Sequence, residues 1–162
     1  MSLVEVIHNS AYAAHIRESQ YIYPLMQCVH ITGLAMFAGG VALTNARVAG
    51  LGAAVPLVDL GRHAMRVAWI GLAMILLTGI NMAASFLEVF AVSTVMQVKL
   101  GLVLLALVNA VVLQRGLAGA GAPWATNPPD PAAARKWAAL GVTVLLVIIT
   151  LGKLLAYIGG KD

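Results

Sequence analysis

The stretch "YIYPLMQCVHITGLAMFAGG", Tyr21 to Gly40, decides the fold. It carries no ionised side chain, and twenty mostly apolar residues are enough to cross the hydrocarbon of a bilayer as a helix. One imidazole, His30, sits inside it, in an environment that penalises polar groups. Read outward, the apolar run extends over 22–48. Three further runs, over 62–86, 95–113 and 137–158, have the same character.

Composition agrees. Of 162 residues, 61% are hydrophobic and 10% charged, against about 25% charged in ordinary globular proteins. Mean hydropathy is +0.93. A domain this small keeps much of its surface exposed, so that surface has to meet lipid. The predicted fold is an all-α, integral membrane four-helix bundle spanning 21–162. Ahead of it, 1–20 reads as an interfacial amphipathic helix, with Leu3, Val4, Ile7, Ala11, Ala14 and Ile16 on its apolar side and Glu5, His8, Asn9 and Glu18 on its polar side. That segment has no basic start and no long apolar centre, so it does not read as a signal peptide.

The connections read as "AGLGAAVPLVDLG", "EVFAVS" and the Gly-, Ala- and Pro-rich "RGLAGAGAPWATNPPDPAAA". The first places Asp59 outside the helices. Call the membrane face where the first span begins X and the opposite face Y. Arg47, Arg62, Arg66, Arg115, Arg135 and Lys136 gather at Y; Arg17, Lys99, Lys153 and Lys161 lie at X. The positive-inside rule then makes Y cytoplasmic and both termini periplasmic, in a bacterial inner membrane. The net charge of +4 reflects these loop charges. With no basic run interleaved with aromatics, nucleic-acid binding is excluded. Cys28, the single cysteine, rules out an internal disulfide and reads as a small core residue.

His30 lies about 12 Å below X by helix rise, and His63 about 30 Å below it. Both are candidate metal ligands. An offset of about 18 Å argues against one haem held between them, because a haem standing upright needs both ligands near one depth. Met74 lies close to the depth of His30, and histidine/methionine ligation of haem is a known arrangement. Lys99 is placed to pair with haem propionates, or to snorkel to the surface. Gln27, one turn before His30, and Asn109 in the third span complete the candidate cofactor-binding set. With Thr78 and Asn81, they point to a polar or cofactor-bearing interior in the X half. Interhelical hydrogen bonding alone also accounts for Asn109 and Thr78. Glycines at 33, 39, 40, 71, 79, 101, 141 and 152 serve either close helix packing or room for a flat cofactor. No acid lies deep in a span, which argues against a proton-coupled transporter. No residue set resembles a zinc site, a catalytic triad or a phosphate loop, so a stand-alone enzyme is not expected.

The pattern "IRESQYIYPLMQCVHITGLAMFAGG … ARVAGLG … WIGLAMILLTGINMAASF … VKLGLVLLALVNA" resembles a bacterial family of small four-helix membrane proteins of unassigned function. That family in turn resembles the membrane domain of copper-resistance protein D and, more distantly, cytochrome b-type four-helix electron carriers. The likeness covers about residues 15 to 115. It implies a haem or copper association with His30 and Lys99 as the functional positions. Where the family often has an aspartate before the arginine closing helix one, this chain has Asn45, Ala46 and Arg47.

The expectation is a haem b-binding membrane subunit, an anchor or electron-transfer component of a periplasm-facing redox assembly. It would work with quinone or with partner subunits, as a homo-oligomer or in a heteromeric complex. The alternatives are copper or small-molecule handling, through His30, Cys28 and the thioethers of Met26, Met36, Met74, Met82 and Met96, and a purely structural membrane subunit.

Overall fold

The computed structural model describes residues 3–52, 54–87, 93–117 and 131–158, excepting the side chains at 3, 4, 95, 131 and 153–158. The described chain is helical, with no strand among the described residues. Two short helices, α1 (Leu3–His8) and α2 (Ala11–Glu18), precede four long ones: α3 (Ile22–Val48), α4 (Leu57–Ser85), α5 (Thr94–Leu117) and α6 (Pro131–Ile158). Each of the four long helices contains a span long and apolar enough to cross a membrane. The protein is an all-α helical bundle of the membrane type.

The four long helices alternate in direction. They form a ring in which α3 packs on α4, α4 on α5, α5 on α6 and α6 on α3. The α3–α4 seam is the most extensive, and small residues make it so. A Cβ added to Gly33 would lie 2.8 Å from the Gly71 carbonyl oxygen, and one added to Gly71 would lie 2.5 Å from the Gly33 carbonyl oxygen. One turn-pair further on, Gly40 meets the Ala64 carbonyl oxygen and the Ala68 methyl group. Backbones in lipid approach this closely only where side chains are small, and dispersion between them drives the association.

Helix ends follow local chemistry. At the end of α3, the Gly50 N–H donates to the Arg47 carbonyl at 3.0 Å and the Leu51 N–H to the Ala46 carbonyl at 3.0 Å, with Gly50 at φ +99°. This is a Schellman stop, which wants glycine in the left-handed region. Arg47 folds over the turn and donates to the Val55 carbonyl at 2.7 Å. The second long helix starts at Leu57 behind Pro56, five residues before the apolar run. Asp59, expected in the connection, therefore belongs to the first turn of α4, where a carboxylate suits the helix N-terminus. Likewise α6 starts at Pro131, ahead of its apolar run, because proline is well suited to a first helical turn.

The N-terminal segment is two helices, not one. Ser10 breaks it: its hydroxyl donates to the Ile7 carbonyl at 2.7 Å and accepts from the Ala13 N–H at 3.2 Å, capping α2. Ala13 and Ile16 are buried. Arg17 donates to the carbonyls of His8 and Ser85, both at 2.8 Å. Tyr12 hydrogen-bonds Asn81. The segment is thus fastened to the X end of α4. Glu88, much of the third connection and the side chain of Lys153 lie outside the described residues.

Candidate functional site

The packed core lies on one side of the midpoint of the bundle. Its members are Phe37, Val41 and Val48 of α3, Leu57 to Leu72 positions of α4, Ala106 to Leu117 positions of α5, and Ala134 to Ile148 positions of α6. All lie from the helix midpoints towards face Y, apart from a slight overhang at Leu72, Leu145 and Ile148. Among the described residues, the X halves contribute far less. Leu25, Val29, Ile31, Leu77, Ile80, Leu100 and Leu104 are exposed there, and a Cβ at Gly101 would have nothing within 4 Å.

Into this X half project His30 and Lys99, both half-buried. The His30 Nδ1 lies 2.9 Å from the Thr78 hydroxyl across the α3–α4 seam, and Thr78 is buried. That hydroxyl lies 2.7 Å from the Met74 carbonyl one turn back. Gly79 makes the ring's seat: a Cβ there would stand 3.1 Å from His30 Cε1. The Lys99 ammonium is within electrostatic reach of the ring. Among the described residues, no hydrogen bond engages His30 Nε2. Lys99 reaches towards α6, its Nζ 3.6 Å from where a Cβ on Gly152 would be.

Asn109 belongs elsewhere. It is buried, and its Oδ1 accepts from Asn45 Nδ2 at 3.0 Å. Asn45 is fifteen residues after His30 on α3, about 22 Å along the axis, so Asn109 and His30 do not share a site. The expectation that Asn109 joins an X-half interior is corrected: its partner lies towards Y. Gly141 makes this seat too, since a Cβ there would lie 2.7 Å from both amides. Glycines of the bundle thus do two jobs. Gly33, Gly40 and Gly71 bring backbones together, as close packing requires. Gly79, Gly141 and Gly152 instead make room for polar side chains.

The other candidates scatter. Gln27 is exposed, and the group that bonds the His30 ring is Thr78 instead. Met74 lies in the seam with its Cβ 2.9 Å from a Gly33 Cβ position. His63 is exposed, its Nδ1 2.8 Å from the Asp59 carbonyl. It lies fifteen residues before Thr78, about 22 Å from the His30 level. Cys28 is exposed on α3, so it is not the core residue expected; the face of α3 that carries it points away from α4. Asn81 turns outward to Tyr12. Among the described residues there is no group of three or more His, Cys, Asp or Glu side chains able to hold a metal ion.

Sequence reasoning underrates Thr78 and Gly79 as the ring's holders, although the "TG" pair is visible in it. It also misses Asn45 as the partner of Asn109. The signal is there: an amide inside an apolar span needs a partner, and Asn45 is one of very few on offer. Fold and site together define a helical membrane bundle with one partly buried imidazole within its long helices. No family model, no curated protein and no solved structure matches the chain.

Proposed function

We propose that this protein is a haem b-binding integral membrane subunit, the anchor or electron-transfer component of a redox assembly. The observation that carries the proposal is the pairing of His30 and Lys99 in the half of the bundle with little packed core. The donor set suits the group. His30 has one ring nitrogen held by protein and the other without a hydrogen bond among the described residues, which is how ligating histidines are commonly arranged. Gly79 leaves the ring its room. Lys99 offers an ammonium for the carboxylates of the macrocycle. When bound, haem iron supplies one-electron chemistry; His30 would supply the ligand and Lys99 the counter-charge.

The resemblance to small four-helix membrane proteins and cytochrome b-type carriers favours the same reading. The basic residues gathered at Y favour a bacterial inner membrane with X, and so His30, towards the periplasm. With a single imidazole of the spans at this level, any further protein ligand would have to come from a partner subunit or a second copy. Quinone or a periplasmic protein would exchange electrons with it.

The test is the visible spectrum of protein purified in mild detergent, oxidised and reduced. A Soret band lost in His30→Ala and weakened in Lys99→Met is expected. A colourless protein with stoichiometric copper would replace this reading with the copper alternative. A colourless, metal-free protein that also fails to take up added hemin would leave only the structural role.

A further inference from the structure

We propose that Thr78 is a positioning residue that locks His30 in the Nδ1–H tautomer and so reserves Nε2 as the ring's only lone pair. The hydroxyl of Thr78 has one proton. It lies 2.7 Å from the Met74 carbonyl, and threonines within helices commonly donate to the carbonyl four residues back. With that proton committed, the Thr78 oxygen can only accept from the ring at 2.9 Å. That contact requires a proton on Nδ1. Neutral imidazole has one such proton, so Nε2 is bare.

The geometry around the pair keeps it so. Thr78 is buried, so water does not compete for its hydroxyl. Gly79 follows immediately and leaves 3.1 Å between a Cβ position and His30 Cε1; a larger residue would push the ring off the hydroxyl. The Thr78–Gly79 pair is therefore one device, a hook and the clearance for what it hooks. That Nε2 then receives iron rests on the function proposed above; the tautomer itself does not.

The experiment is nitrogen NMR of full-length protein labelled with 15N-histidine, in detergent at a pH of about 8.5, where free imidazole is neutral. His30→Gln assigns the His30 signals. The expected result is a His30 ring protonated at Nδ1. Thr78→Val should move it towards the Nε2–H form, and Thr78→Ser should restore the wild-type pattern. A wild-type ring protonated at Nε2 overturns the proposal without any variant, and so does a Thr78→Val ring unchanged from wild type. In hemin titrations of the same samples, Thr78→Val should bind about 10–100-fold more weakly, the usual penalty for losing an outer partner of a ligating histidine, with Ser again restoring it. Nδ1 protonation with no hemin uptake by the wild type would sink the haem reading and leave Thr78's role in place.

Discussion

Among the described residues, the packed core lies in the Y half of the bundle and the X half holds little of it, and the polar residues in each behave accordingly. In the Y half, Asn45 and Asn109 are almost wholly enclosed, at 0% and 4% exposure, and they bond each other. In the X half, His30 is only partly covered and bonds a single hydroxyl with one of its two nitrogens. An enclosed polar group with a like partner serves to specify packing; a partly covered one with a spare donor or acceptor can serve a ligand. The glycines divide by the face they occupy: those of the α3–α4 seam would collide with backbone if enlarged, whereas Gly39 and Gly101 would meet nothing among the described residues.

The largest expected effect breaks the filled half. In Gly40→Leu, the new side chain must displace the Ala64 carbonyl and the Ala68 methyl. Backbone cannot give way as a flexible side chain can, so the cost should reach about 3 kcal/mol. Denaturant unfolding in mixed micelles would show it as a lowered midpoint. An unaltered midpoint would mean that the seam is looser than described.

Second comes the strap at the X end. Arg17→Ala removes two hydrogen bonds from a charged donor to the carbonyls of His8 and Ser85, worth about 2 kcal/mol together in a half-exposed setting. Hydrogen exchange should accelerate through α1 and α2 and at the end of α4, with the Y half unchanged. Acceleration spread evenly over all helices would show that the two halves are not independent.

Third, the asparagine pair sharpens the contrast by a double-mutant cycle. Asn109→Leu leaves Asn45 buried without its acceptor and should cost about 1 kcal/mol. The pair is only half satisfied, since Asn45 Oδ1 and Asn109 Nδ2 have no partner among the described residues. Replacing both by leucine should therefore cost less than the sum of the single changes. Strict additivity would show that the bond observed at 3.0 Å contributes nothing.

What the sequence discloses, and what it hides, follows the same division. The four spans are legible because about 20 apolar residues in a row have few other uses. The start of α4 is not, because Leu57–Gly61 is amphipathic and includes Asp59; a helix N-terminus tolerates an acid that a hydropathy pattern treats as a boundary. His30 and Lys99 are legible as unusual residues at similar depth. Their holders are not, because depth says nothing of rotation about the helix axis. Gln27 and Thr78 lie at comparable levels, yet Thr78 faces the ring across the seam and Gln27 faces out. Asn109 is misplaced for a related reason: polarity alone groups it with His30, whereas its depth matches Asn45.

The smallest effect tests the open half directly. Gly101 lies in the X half of α5, is exposed, and has nothing within 4 Å of where a Cβ would stand. Glycine inside a helix costs roughly 0.5–1 kcal/mol relative to alanine through backbone freedom alone. With no neighbour to offend, Gly101→Ala should recover part of that amount and raise the unfolding midpoint slightly. The matching change in the filled half, Gly141→Ala, brings a methyl to 2.7 Å from both amides and should lower it. Opposite signs from the same chemical substitution would come from packing alone, since helix propensity favours alanine in both. If Gly101→Ala were instead destabilising, something would have to press against that face of α5 in the membrane. The unfilled half would then be the place where a partner helix, a second copy or a cofactor is already seated.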